Sequence, residues 1–302
     1  FGIASMGAAC FKSSGAMTSD ETAASARVST GVRMPCVYIN HGGGPLPLLG
    51  KQPSIATFLG NYASTLSRPP AAILVVTAHW ETGSQLKVSG GKAHSLYFDY
   101  GGFPEESYEY KYPAPGSPEL ATRVISLLAS KGLRCTADPS RGWDHGVFVP
   151  LMLMFPDATV PVVSLSLYSS QDAKQHMEAG EALQSLRDEG VLILGSGASF
   201  HNFGYFFADA NVRSKGVKHS QIFHAWLADT MQSEKMNAEE RKHRCSAWQD
   251  APSALEAQPR GQAEHLMPLF VVLGAAGYNP GRLVNTADHT ADSLMVSEFE
   301  FL

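Results

Sequence analysis

Three short apolar runs, each typical of a buried β-strand, lead into a histidine, and this pattern constrains the fold more than any other feature of the chain. The runs with their histidines are Cys36–Ile39 with His41, Ala72–Ala78 with His79, and Val191–Gly195 with His201. Ligands bind open α/β sheets at the carboxyl ends of the strands. Three imidazoles delivered there can therefore meet at one point, although the sequence separates them widely. Because histidine is the commonest metal ligand, the pattern predicts a mononuclear metal site in a soluble enzyme.

Strand-like and helix-like patterns alternate along most of the chain. Strands are predicted at about 35–40, 71–78, 160–167, 191–195 and 293–301. Helices are predicted at about 53–66, 118–132, 173–188, 217–233 and after residue 264. The stretch 84–117 is rich in Tyr, Gly and Pro and is predicted to be irregular. The alternation favours an α/β fold, a single domain with a central mixed or mostly parallel sheet flanked by helices.

The length of 302 residues and the hydrophobic content of 44% suffice for one large domain, which we expect to span 34–302. Residues 1–33 are rich in Ala, Ser, Gly and Thr and are predicted to be a disordered extension, with a processed targeting segment as the alternative. The four cysteines lie far apart and form no CxxC pair, which favours reduced thiols and a cytoplasmic protein.

The charge pattern argues against large anionic partners. The formal net charge is -5, and no block of Lys and Arg is present, so neither nucleic acid nor an anionic membrane surface is an expected partner. No apolar run reaches the roughly 18 residues that span a bilayer. We expect a monomer or homodimer that acts on a small molecule.

The sequence motifs of several common enzyme classes are absent from this chain. The segment His41–Gly44 is similar to the oxyanion loop of esterases, but the G-x-S-x-G elbow that such enzymes need is absent. A G-x-G-x-x-G loop after the first strand, a Walker A loop and an H-E-x-x-H helix are absent as well. Single histidines are ambiguous, since a strand-end histidine is more often a hydrogen-bonded core residue than a ligand. Glu264 and His265 could each offer a metal ligand, and their spacing does not decide between them.

Seven short motifs, taken in order, resemble the DODA-type extradiol ring-opening dioxygenases of the LigB-like class III extradiol superfamily. They are His41–Pro45, Ala78–Glu81, Gly101–Pro104, Tyr112–Pro118, Asp144–Gly146, His201–Asn202 and Glu264–Leu266. The similarity covers about 34–302, which is the whole chain except the N-terminal extension. Each motif is short, but their number and order make the match specific.

The resemblance implies a single-domain α/β fold and a set of metal ligands. By analogy His41, His79 and His265 are the ligands. Other members of the superfamily use a glutamate in the third position, so Glu264 is the alternative. Three such ligands leave open positions on Fe(II) for a diol and for O2.

The resemblance also implies a reaction, the extradiol cleavage of a catechol with O2 to a muconic semialdehyde. The substrate would be a small aromatic diol, DOPA or a related dihydroxyphenyl compound. His201 occupies the position of the catalytic base, a role that suits a group titrating near neutral pH, and His145 is a second active-site histidine. Three histidines also suit Zn(II). The alternatives are therefore a zinc-dependent hydrolase or lyase and a non-catalytic metal-binding protein.

Overall fold

The computed structural model describes residues 1–2, 33–288 and 294–302, and these contain an eight-stranded sheet. The strands are β1 Cys36–Asn40, β2 Ala72–Glu81, β3 Leu86–Ser89, β4 Cys135–Asp138, β5 Val162–Leu167, β6 Val191–Gly197, β7 Arg282–Asp288 and β8 Met295–Phe301. Their order across the sheet is β4-β3-β5-β2-β6-β1-β8-β7. The central strands β5, β2, β6 and β1 are parallel, whereas β3 pairs antiparallel with β5, and β8 pairs antiparallel with β1 and β7. The predicted mixed, mostly parallel sheet is confirmed.

Helices connect the strands and cover both faces of the sheet. They are α1 Pro53–Thr65, α2 Pro118–Ser130, α3 His145–Met154, α4 Ala173–Leu183, α5 Ser185–Asp188, α6 Phe203–Phe206, α7 Ala210–Gln232, α8 Ala238–Ser246, α9 Ala254–Ala257 and α10 Met267–Ala275. Local signals set their ends. In α2 the Ser117 side chain accepts a hydrogen bond from the backbone N–H of Leu120, and Pro118 occupies the first turn. Among the described residues, no helix is both long and apolar enough to cross a bilayer.

Alternate residues of the central strands belong to two apolar layers. In β1, Cys36 and Tyr38 pack into the layer formed with α2, α4 and α10, whereas Val37 and Ile39 pack into the layer formed with α1 and α3. All five residues of β1 are buried, as expected for a parallel strand covered on both faces. The core therefore lies on both sides of the sheet and leaves the strand ends free to carry a site.

Helices α4 and α10 approach each other backbone to backbone. A Cβ added at Gly180 would lie 2.0 Å from the carbonyl oxygen of Val271, and one added at Gly274 would lie 2.1 Å from that of Met177. Only glycine fits at both positions, since real Cβ atoms essentially never come so close. The contact fixes α10, and with it the segment that precedes this helix.

The predicted strands and helices are confirmed in type, with ends that shift by up to three residues, except that α7 begins at Ala210 rather than at about 217. The predicted helix 173–188 is divided into α4 and α5, and the stretch 84–117 contains β3 and a short 3₁₀ turn, Glu105–Tyr108, rather than being wholly irregular. Arg33–Leu302 belong, in the described part of the chain, to one compact unit. The predicted N-terminal extension lies outside the described residues except for Phe1, Gly2 and Arg33.

Candidate metal centre

Five histidines line one cavity of about 480 Å³ beyond the carboxyl ends of the parallel strands. The ring centroid of His41 lies 4.9 Å from that of His79, 5.1 Å from that of His145 and 5.3 Å from that of His265. The ring of His201 stacks on that of His265 with centroids 3.5 Å apart. The structure therefore brings together all five histidines that the sequence analysis selected.

Strand ends and helix starts deliver these side chains. His41 follows the last residue of β1, and His79 lies near the end of β2, where the register against β5 shifts. His201 lies four residues beyond β6. His145 is the first residue of α3, and His265 comes two residues before α10 begins. The sheet edge thus sets three of the five positions, and helix starts set the other two.

The tautomer of His41 follows from its hydrogen bonds. The Ser196 hydroxyl donates its proton to the carbonyl oxygen of Gly146 over 2.5 Å, so it accepts from Nδ1 of His41 over 2.8 Å. Burial and the neighbouring histidines hold the pKa of His41 well below its ordinary value, which keeps the ring neutral. Nε2 of His41 therefore carries a lone pair, and it lies 3.1 Å from Nε2 of His79.

Asp99 joins His79 to His145. Its Oδ1 accepts hydrogen bonds from Nδ1 of His145 at 2.8 Å and from the backbone N–H of His145 at 2.9 Å. Its Oδ2 lies 3.5 Å from Nδ1 of His79. Burial acts to raise the pKa of Asp99, but the hydrogen bonds from His145 outweigh it and lower the pKa. Asp99 was not among the predicted site residues, because one acidic residue within an aromatic loop has no distinguishing pattern.

Glu264 lies between His265 and His201. Its Oε1 accepts from Nδ1 of His265 at 2.8 Å and lies 3.4 Å from Nδ1 of His201. Although burial opposes ionisation, the hydrogen bonds from these two histidines hold the pKa of Glu264 below its ordinary value. Burial lowers the pKa of His265 to about 4. At neutral pH the pair is therefore a carboxylate that holds a neutral imidazole.

The backbone of His265 is fixed by the two strands beneath it. Its carbonyl oxygen accepts hydrogen bonds from the Tyr38 hydroxyl at 2.8 Å and from the N–H of Ala198 at 3.0 Å. A Cβ at Gly197 would lie 2.0 Å from the same oxygen, so this position requires glycine. The Gly195–Gly197 segment, which matches no nucleophile elbow, serves here to let the His265 segment approach β6.

A buried carboxylate fixes the backbone on the opposite side of the site. Asp144 accepts from the Thr77 hydroxyl at 2.7 Å and from the Arg141 guanidinium at 2.9 Å. Arg141 also donates to the carbonyl oxygen of His79 at 3.1 Å. These bonds tie the end of β2 to the start of α3, so the two histidines carried there keep a constant separation.

The donor set fits a metal ion. Nδ1 of every histidine in the cluster faces a carboxylate or hydroxyl oxygen, which leaves Nε2 as the nitrogen available to the cavity. Imidazoles that bind metals are held by such partners. Two nitrogens that each lie about 2.0–2.1 Å from one ion are separated by about 3 Å, which agrees with the 3.1 Å between His41 and His79. Nitrogens of His41, His79 and His145 all lie within 4.8 Å of one another.

We expect the Asp99→Asn variant to lose about tenfold to a hundredfold in metal affinity or in kcat/KM. Asparagine offers one acceptor oxygen, and its amide group would face a second Nδ1–H, so His79 and His145 could not both be held. Metal affinity is measured by competition with a chelator, and turnover by oxygen uptake. Asp157→Asn, which changes an exposed aspartate, is the matched control. Equal affinity and turnover in the two variants would contradict the role of Asp99.

Comparisons with known proteins agree with this geometry. Residues 50–296 match the family model for the catalytic LigB subunit of aromatic ring-opening dioxygenase. Dioxygenase tasH of Hapsidospora irregularis is 40% identical over 260 residues, which cover 80% of this chain and 78% of that protein. The 4,5-DOPA dioxygenase extradiol of Beta vulgaris is 40% identical over 248 residues, which cover 80% and 87%. The crystal structure of an uncharacterized protein from Escherichia coli K12 has a TM-score of 0.68 and 29% identity, over 89% of this chain and 100% of that chain.

The family match extends over most of the described chain and includes the elements that carry His79, His145, His201 and His265, whereas β1 and His41 precede it. Both named relatives are 40% identical to this chain over most of the two sequences compared. The chain therefore belongs to the LigB family of aromatic ring-opening dioxygenases, as a DODA-type extradiol dioxygenase.

Proposed function

We propose that this dioxygenase opens the ring of a catechol beside the diol, adds both atoms of O2 and releases a muconic semialdehyde. The observation that carries the proposal is the convergence of imidazoles whose Nδ1 atoms all face oxygen acceptors, which leaves Nε2 lone pairs for one metal ion. The relatives named 4,5-DOPA dioxygenase extradiol make DOPA the first compound to test.

In this proposal His41, His79 and His265 hold the metal ion, which is Fe(II). Their ring centroids form a nearly equilateral triangle with sides of 4.9, 5.3 and 4.8 Å, as expected for rings that approach one point from three directions. His145 instead lies 3.9 Å from His79, a close ring-to-ring contact. When bound, Fe(II) supplies Lewis acidity toward the diol and open coordination positions for the diol and O2.

His201 is the proposed base. It lines the cavity beside His265, and Glu264 lies 3.4 Å from its Nδ1, so a proton taken up at Nε2 produces an imidazolium that the carboxylate stabilises. The proton comes from a hydroxyl of the diol, and the same nitrogen returns it during ring opening. Glu264 is therefore proposed to orient two histidines rather than to bind the metal.

His145 is the proposed second acid–base group. Asp99 holds its Nδ1, which leaves Nε2 to hold or relay a proton beside the reacting ring. The side chain is buried and starts α3, so its position is set by the backbone rather than by a flexible loop. Two histidines with carboxylate partners thus lie on opposite sides of the proposed ligands.

Oxygen uptake tests the proposed function. The protein is loaded with Fe(II) without oxygen and then mixed with catechol, DOPA and other substituted catechols, while O2 and the absorbance of the yellow ring-opened product are followed. We expect one O2 consumed per product formed, and no uptake from protein loaded with Zn(II). His243→Ala, a histidine on α8 outside the cavity, is the control and should match the unchanged protein. Stoichiometric bound iron without uptake on any catechol would contradict the proposal.

A further inference from the structure

We infer that the site selects catechols with a bulky apolar substituent, and that Phe203, Phe206 and Phe207 bind this substituent. The inference rests on the proposed ring cleavage and adds the substrate class. These three phenylalanines, here called the aromatic mouth, lie on α6 and at its C-terminal end, just after the proposed base in the chain, and line the cavity.

The aromatic mouth extends from the histidines to solvent. The ring centroid of Phe203 lies 4.7 Å from that of His201 and 6.1 Å from that of Phe206. Phe203 also stacks on Phe207 with centroids 5.7 Å apart and planes 18° apart. Phe203 is 56% exposed and Phe207 is 82% exposed. A clustered, exposed aromatic surface at the entrance of a cavity is characteristic of a binding site for an apolar group.

A second group of aromatic side chains lines the same cavity. Tyr100 and Phe103 line it with centroids 5.4 Å apart, and Phe103 lies against Gly44, where an added Cβ would approach its ring to 3.3 Å. The Tyr100 hydroxyl donates to the carbonyl oxygen of Ser107 at 2.6 Å, so the ring of Tyr100, rather than its hydroxyl, is available to a ligand in the cavity. A substituent that extends from the metal site therefore meets aromatic side chains from two separate segments of the chain.

The polar side chains of this region hold the glycine-rich turn. Asn40 accepts from the N–H of Gly42 at 3.0 Å, and Gln52 accepts from the N–H of Gly43 at 2.9 Å. Histidines apart, the described lining includes no ionisable side chain except the Tyr100 phenol, and no Lys or Arg. A carboxylate placed between the phenylalanines would lose hydration without gaining a Lys or Arg partner from the described lining, at a cost that an alkyl group avoids. The volume of about 480 Å³ lies within the range of pockets that hold molecules much larger than catechol.

A matched pair of substrates tests the inference. 4-Butylcatechol and 3-(3,4-dihydroxyphenyl)propionate carry substituents of similar length, of which one is apolar and the other ends in a carboxylate. We expect kcat/KM for butylcatechol to be about tenfold higher or more, mainly through KM. Anaerobic calorimetry with the Fe(II)-loaded protein gives the dissociation constants without turnover and should show the same order. Equal or tighter binding of the carboxylate would overturn the inference.

Variants at Phe207 test whether the aromatic mouth causes the preference for the apolar substituent. Phe207→Ala should reduce the ratio of kcat/KM between the two substrates severalfold, and Phe207→Arg should shift it further toward the carboxylate. Both changes are at an exposed position, which tolerates substitution. Ile222→Ala, an exposed apolar residue on α7 outside the cavity, should leave the ratio unchanged. If the ratio of kcat/KM between the two substrates is the same in both Phe207 variants as in the unchanged protein, the inference is overturned.

The outcomes separate this inference from the function on which it rests. If no catechol supports oxygen uptake while iron is bound, the proposed ring cleavage fails. If catechols are cleaved but the carboxylate substrate is preferred, only the inferred substrate class fails.

Discussion

Replacing His265 with alanine is expected to weaken metal binding by at least about a hundredfold, whereas His145→Ala should retain the metal. His265 is buried, its Nδ1 is held by Glu264 at 2.8 Å, and its ring completes the nearly equilateral triangle with His41 and His79. Its loss would leave two proposed ligands, too few for tight binding. His145 lies beside His79, and its removal should leave the three proposed ligands in place.

Two measurements detect this difference in metal binding between His265→Ala and His145→Ala. Metal content after dialysis reports retention, and the rise in Tm on addition of metal under anaerobic conditions reports binding to the folded state. The rise should disappear in His265→Ala and persist in His145→Ala. The reverse result would assign the ligand set to His41, His79 and His145, whose nitrogens already lie within 4.8 Å of one another.

Glu264→Gln separates the two interpretations of the third ligand. If Glu264 orients His265, glutamine still accepts from Nδ1 through its amide oxygen, and the metal is retained with reduced affinity. If Glu264 itself were the ligand, the loss would equal that of His41→Ala. Because glutamine has nearly the size and shape of glutamate, the loss of metal affinity in Glu264→Gln reports the loss of the carboxylate rather than a change in packing.

The convergence of histidine side chains at the sheet edge could be predicted in part from the order of residues along the chain. Parallel strands end at the same edge of a sheet, so apolar runs that lead to His41, His79 and His201 indicate a common site. His145 begins α3 and His265 lies just before α10, so their approach depends on how these two helices pack on the sheet. For these two residues only the ordered motifs of a family supplied a signal, since spacing along the chain contains none.

Other features depend on tertiary contacts that local patterns do not encode. Asp99 and Ser196 matter because of what they touch across the fold, His145 and His41 respectively. Helix α3 was not predicted, because nearly all of its residues are buried and its apolar pattern therefore lacks helical periodicity. Strands β3 and β4, at one side of the sheet, have four residues each, too short for a clear alternation.

Replacing His201 with alanine is expected to lower kcat by about 10²- to 10⁴-fold while metal content stays unchanged. In the proposed mechanism this ring accepts a proton from the diol and is not a ligand, so its removal takes away proton transfer and leaves the ligands intact. Glu264 loses its contact with His201 in this variant but keeps the bond to Nδ1 of His265, which preserves the orientation of that proposed ligand.

The measurement pairs oxygen uptake with metal analysis and with the anaerobic dissociation constant of the best catechol. A base is distinguished from a structural residue by rescue, since added imidazole can enter the space that alanine leaves beside the cavity and restore part of kcat. His243→Ala provides the control for removal of a histidine elsewhere, and imidazole should not raise its rate. Loss of the metal from His201→Ala would place this histidine among the ligands, and an unchanged kcat with metal bound would assign the proton transfer to His145 instead.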